Sequence, residues 1–276
     1  MPIETIALTK WDDIHEHARH SWVFRGQRRA EWSLKTALER CCERHKVSAN
    51  HRRELEDRLT REFRRAYHQY GRHLPQRDAA IEWLSLMQHH GAPTRLLDFS
   101  YSIYVAAYFA VEATDSDSAV WAIDAQWAMD KSVELLRRAG KNEYALERLR
   151  GLFEDPKDEE AVSQLWFDEP HLCATWPINP FRLIERLRTQ QGVFMVPCDI
   201  SKSFMNNLEA LSPSDHAEHV LKIIIPHSIM QTALSNCFRW PFHAPPYSLD
   251  LTDFPNHWGS IILEHTLPLS GNNAVV

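Results

Sequence analysis

The sequence predicts an α+β protein: a single mixed domain with a small central β-structure wrapped by helices. Three observations lead there. Apolar residues make up 44% of the 276 positions and charged residues 25%, the usage of an ordinary globular chain with enough length for a real core. Helical and strand patterns are interleaved irregularly rather than as clean βαβ units. No internal repeat or low-complexity linker divides the chain. The domain is therefore drawn over 1–276, with a helical insertion at about 35–90 and a charged helical and loop insertion at about 130–170.

Taken in order, residues 10–20 read as a short helix capped by Thr9 or Asp12. SWVFRG, from Ser21 to Gly26, reads as a strand, because Trp22, Val23 and Phe24 favour a pleated, partly buried surface. Over 50–74, Leu55, Leu59, Phe63, Tyr67, Tyr70 and Leu74 recur at spacings of three and four, which predicts an amphipathic helix. Its seven arginines and four acids read as a solvated face. A second helix follows over 78–90, with Ile81, Trp83, Leu84 and Met87 inward and a stop at Gly91 and Pro93.

TRLLDFS is a short extended piece. Ser102 to Ala113 is apolar on nearly every face, so it is expected as a buried central helix. AVWAID is a strand, 130–150 a charged surface helix, and 154–160 an acidic loop. PFRLIERLRTQQG reads as a helix stopping at Gly192 and feeding the strand VFMVP. HVLKIIIP is a further strand, followed by a helix over 227–236. SIILEHT reads as either a final strand or the end of a helix.

Several function classes drop out. With 31 basic against 37 acidic residues the formal charge is −6, which argues against a broadly basic nucleic-acid surface. Only the arginine-rich helix at 52–65 speaks for nucleic acid. The five cysteines are odd in number and form no C-x-x-C, so a disulfide framework is not expected. The amino-terminal stretch has neither a basic n-region nor an apolar h-region, and no apolar run approaches the roughly 20 residues of a membrane span. A cytoplasmic protein with no membrane partner is expected. There is no G-x-G-x-x-G, P-loop, G-x-S-x-G or H-E-x-x-H pattern.

Three clusters concentrate the chemistry. In Phe24-Arg25-Gly26-Gln27, a guanidinium at a strand end beside glycine can grip a phosphate or carboxylate, or else close the sheet through an ion pair. From Gln88 to Asp98, the run packs His89, His90, Thr94, Arg95 and Asp98 just before a buried helix, where polar groups must be paired or line a cavity. Adjacent histidines diverge by ~100° on a helix, so no metal site is expected. The third cluster, Arg188 to Phe194, carries Gln190 and Gln191 before Gly192. It reads equally as an amide-lined pocket rim or as an ordinary helix C-terminus.

In this order, WVFRGQ, QHHGAPTRLLDFSYSIYVAAYFA and RLRTQQGVF resemble the signature of the FRG domain, a bacterial family named after its Phe-Arg-Gly motif. FPNHW near the end is similar to the family's terminal Phe-Pro motif. Phe99 and Ile103 stand where tryptophan and proline are expected. The layout is also similar to ADP-ribosyltransferases of the Arg-Ser-Glu type. That resemblance implies NAD as substrate, with Arg25 on its phosphate or nicotinamide ribose and Ser100 or Thr94 as the hydroxyl. It implies a transferase acting on a macromolecular acceptor, with no metal; the FRG resemblance implies a toxin or antiviral defence setting, with a cognate inhibitor or a neighbouring defence protein as partner.

The same resemblance assigns the grip on the ligand to Arg25 and Arg95, with Gln27 and His90 beside them. Stacking falls to Tyr104, Tyr108 or Phe109. The oxygen that orients the ribose hydroxyl or the acceptor falls to Glu264, Gln191 or Asp98. The alternative is a module that binds a nucleotide or phosphate without chemistry.

Overall fold

The computed structural model describes residues 3–68, 74–144, 146–147, 150, 172–179, 190–212 and 216–239. Glu264, SIILEHT, FPNHW, the acidic stretch 154–160 and most of the helix expected over 180–192 lie outside the described residues. Within them the architecture is a mixed α+β domain built on one seven-stranded sheet of order β1-β7-β4-β2-β3-β6-β5.

The strands are β1 (Glu4–Ala7), β2 (Trp22–Gln27), β3 (Leu97–Ser100), β4 (Ser118–Asp124), β5 (Thr175–Ile178), β6 (Gly192–Pro197) and β7 (Val220–Ile225). Only the β1–β7 pair is parallel; every other neighbour is antiparallel. The strands at SWVFRG, LLDFS, AVWAID, VFMVP and HVLKIII stand where the sequence puts them. Two more, β1 and β5, were not expected.

Alternation along β2 sends side chains to opposite faces of the sheet. Trp22 and Phe24 join a core with Trp11, Ile14, Val120, Ala122 and Ile223. Val23 joins the larger core on the other face, with Trp121, Ile123, Leu55, Leu59 and Trp83. Arg25 and Gln27 follow Val23 in the alternation.

The helices sort onto these two faces. On the larger core lie α1 (Ala37–Arg44), α2 (Arg52–Tyr67), α3 (Ala80–His89) and α5 (Ala125–Arg138). On the smaller lie a 3-10 turn at Trp11–His17, α4 (Ile103–Val111) and α8 (Met230–Arg239). Between α5 and α8 come the short α6 (Phe204–Glu209) and α7 (His216–His219). Side chains start several of them: Thr36 accepts from the Glu39 amide at 3.0 Å, and Asp124 accepts from Gln126 and Trp127 at 3.1 and 3.2 Å.

Leu55, Leu59, Phe63 and Tyr67 of α2 are buried as read, but the helix ends at Tyr67 rather than near 74, Tyr70 lies outside the described residues, and Leu74 is exposed beyond the helix. Its charged face is not uniformly solvated: Glu56 is buried. The helix expected over 130–150 begins at Ala125 and buries Trp127, Met129, Val133 and Leu136, so it has a core face as well as a charged one.

The central helix α4 depends on small residues. Ala106, Ala107 and Ala110 are buried against the sheet, and Gly26 of β2 lies directly beneath. A Cβ on Gly26 would stand 2.0 Å from the Ala106 carbonyl oxygen and 2.7 Å from the Ala110 nitrogen. Glycine follows Arg25 because the helix backbone occupies the space of a side chain. None of the described helices is long and apolar enough to cross a membrane.

Candidate functional site

β2 and β3 are neighbours at the centre of the sheet, joined where Phe24 faces Ser100. This brings the first two clusters together although 73 residues separate Arg25 from Asp98. The Arg25 guanidinium donates from Nη1 to the Asp98 carbonyl oxygen at 2.6 Å. Both line a cavity of about 710 Å³, within the range of small-molecule sites. The third cluster closes the same corner: Ser100 Oγ donates to the Gln190 carbonyl at 2.7 Å, and the Tyr101 amide donates to the Gln191 carbonyl at 3.0 Å.

A polar chain positions Asp98. Thr94 Oγ1 donates to Gln88 Oε1 at 2.6 Å, which turns the Gln88 amide nitrogen toward Asp98 Oδ2 at 2.8 Å. Thr94 is fully buried and reaches the cavity only through Gln88, which lines it.

Gln27 also lines the cavity, with its amide engaged at both ends. Its oxygen accepts from Trp121 Nε1 at 2.8 Å and its nitrogen donates to the Ser33 carbonyl at 3.0 Å. It pins the loop between β2 and α1 to the sheet.

The opposite wall is α1. Ala37, Arg40, Cys41 and Arg44 all line the cavity, an i, i+3, i+4, i+7 face. The helix itself is legible in TALERCCER, as a Thr36 cap followed by arginines four apart, but the surface it faces is not. Arg40 donates to the Lys35 carbonyl at 2.6 Å. Burial lowers the proton affinity of its guanidinium, while the charges of Glu39 and Asp98 act in the opposite direction. Around the wall, Lys35 pairs with Glu43 at 2.8 Å and Arg28 with Glu112 at 3.7 Å. Arg25, Arg28, Lys35, Arg40 and Arg44 thus face Glu31, Glu43, Asp98 and Glu112, a mixed field suited to a ligand with both anionic and hydrogen-bonding parts.

Other expected site residues stand elsewhere. Arg95, expected to grip the ligand, is wholly buried and paired with Glu56 of α2: Nε donates to the carboxylate at 2.8 and 3.0 Å, and Nη2 makes a further short bond to Oε2. Burial alone would lower the Arg95 pKa, but Glu56 outweighs it and holds the guanidinium above its usual range. His90 ends α3 and packs on the Phe63 and Tyr67 rings, 5.8 and 5.7 Å between centroids. Tyr104 meets His15 through its hydroxyl, away from the cavity.

Tyr108 stands edge-on to Phe109, and of that pair Phe109 lines the cavity. Gln191 sits in the turn with φ +49° and an exposed side chain, so Gln190 is the glutamine at the rim. Glu264 is outside the described residues. Of the three oxygens weighed for chemistry, Asp98 is the one seen at the cavity.

Sequence reading gave no site role to Arg40, Arg44 or Trp32, and set Gln88 in the second cluster without assigning it one. Among the described residues, no group of three or more His, Cys, Asp or Glu is placed to hold a metal ion. The cysteine pair on α1 is not an activated nucleophile: burial pushes the Cys41 thiol to about 11 and the Cys42 thiol to about 12.

No curated protein and no solved structure matches the chain. The FRG domain family model matches residues 20–119, from just before β2 into the start of β4, and this span holds Arg25, Asp98 and the α1 wall. The chain therefore carries an FRG domain over residues 20–119.

Proposed function

We propose that the cavity binds NAD and that the protein transfers ADP-ribose from it to a macromolecular acceptor. The supporting observation is the meeting of Arg25 and Asp98 on the wall of one nucleotide-sized hollow. Arg25, backed by Arg40 and Arg44, grips the pyrophosphate, since a guanidinium fork fits phosphate oxygens in pairs. The bond that breaks joins the ribose C1′ to the nicotinamide nitrogen, and its electron pair leaves with nicotinamide. The ribose passes through an oxocarbenium-like state, as in glycoside hydrolysis. The acceptor's nucleophile bonds to C1′ and gives up its proton. Asp98, held by Gln88, supplies the oxygen that orients the ribose hydroxyl or the acceptor.

The test is isotopically labelled NAD incubated with folded protein and cell lysate. Nicotinamide release and label transfer by the wild type, lost in Asp98→Asn at unchanged melting temperature, is the expected result. Absence of both turnover and transfer in folded protein would refute it. A second reading, binding without chemistry, draws on the engagement of the Asp98 carboxylate by Gln88. It expects NAD to raise the melting temperature and to be recovered intact. Saturation at 100 times the dissociation constant adds about 2.7 kcal/mol.

A further inference from the structure

The loop between β2 and α1 carries one large aromatic residue into the cavity wall. Trp32 is 47% exposed, among the most open large apolar side chains of the described chain, and it lines the hollow that holds Arg25. An exposed tryptophan on a slack loop would mean little, but this loop is tied down on both sides of Trp32. Its own carbonyl accepts from Lys222 Nζ at 3.0 Å, and the neighbouring Ser33 carbonyl accepts from Gln27 at 3.0 Å. On the other side the Arg28 carbonyl accepts from Thr114 Oγ1 at 2.6 Å, and the Ala30 amide donates to the Asp117 carbonyl at 2.8 Å. Lys222 is itself held over the Trp121 ring at 4.7 Å. Strands β2, β4 and β7 and the α4–β4 connection all contribute to fixing the backbone of this one residue.

A rigid backbone presenting an open indole to a charged hollow suits stacking on a flat ring, since little conformational freedom is lost when a ring is covered. We infer that Trp32 is the platform on which the ligand's planar heteroaromatic base stacks, which makes the ligand a base-bearing nucleotide rather than a sugar phosphate. This rests on the nucleotide reading of the cavity but not on any bond being broken there. Lys35, Glu43 and Arg44 line the same hollow and offer polar groups for the base edge or the adjoining phosphate.

The experiment measures affinities of the full chain for AMP, ADP-ribose, NAD and ribose 5-phosphate by calorimetry, with wild type, Trp32→Phe and Trp32→Ala. Melting curves establish that both variants fold. Stacking on a base is worth about tenfold or more in affinity. Trp32→Ala should therefore weaken AMP, ADP-ribose and NAD by about that factor, with Trp32→Phe close to wild type. Ribose 5-phosphate should bind more weakly than AMP and be indifferent to both changes. Equal affinity of wild type and Trp32→Ala for AMP would overturn the inference, as would equal weakening of AMP and ribose 5-phosphate, or no binding of any base-bearing nucleotide. Intact recovery of NAD together with Trp32-dependent binding would remove the transferase activity and leave the stacking platform standing.

Discussion

Replacing Glu56 with glutamine separates a scaffold arginine from a ligand-gripping one. The Glu56 side chain is 4% exposed and that of Arg95 0%, with three donor–acceptor contacts between them. The substitution removes the negative charge but keeps the volume, leaving the Arg95 guanidinium in the core without its counter-charge. Breaking a buried pair from one side costs about 3–5 kcal/mol. At about 2–4 °C per kcal/mol for a chain somewhat smaller than this one, the melting temperature should fall by roughly 6–20 °C. The double variant Glu56→Leu/Arg95→Met removes both charges together and should regain most of that loss, because two apolar side chains need no compensation. Urea unfolding followed by tryptophan fluorescence, with calorimetry alongside, reads both. If Glu56→Gln melts with the wild type while nucleotide affinity collapses, Arg95 serves the ligand and the assignment made here fails.

Three further outcomes follow from the geometry. Arg25→Ala loses the charge-assisted bond to the Asp98 carbonyl at a half-buried site, so the unfolding free energy from urea titration should fall by about 1.5–3 kcal/mol while nucleotide affinity drops at least tenfold by calorimetry. Gly26→Ala drives a methyl into the α4 backbone and should cost at least about 1–3 kcal/mol in the same unfolding assay. Cys41 and Cys42 have folded pKa values of about 11 and about 12 against an ordinary 9.0, so their protonated forms favour the fold. That stability is whole below pH 9 and drains as pH rises toward 11–12. The urea midpoint should fall between pH 8 and pH 10.5, and the Cys41→Ala/Cys42→Ala variant should show a smaller fall.

Local pattern carried much of this architecture. The strand at Trp22–Gln27 shows itself by its aromatic and β-branched start, and the helix at Ile103–Val111 by its lack of a polar face. The strand Glu4–Ala7 escaped because three of its four residues are exposed and show no alternation, so pairing with β7 alone makes it a strand. Thr175–Ile178 escaped because it is four residues long and contains Pro177.

The site divides in the same way. Arg25 and Asp98 could be proposed from their neighbours in the chain. The fate of Arg95 could not, because its partner lies 39 residues away on a helix whose charges all look alike in sequence. Nor does local sequence show that α1 faces β3 across a hollow, since that follows from how the helices pack on the sheet.

The sheet order also bears on how the matched stretch could be handled in isolation. The family match stops as β4 begins, yet β2 and β3 owe one flank each to β4 and β6, which lie almost wholly beyond it. A fragment cut at residue 119 would leave two raw backbone edges on either side of the guanidinium, inviting self-association in place of a usable pocket. Exchange of this module between proteins would have to carry the later strands with it, so the portable unit is larger than the recognisable one.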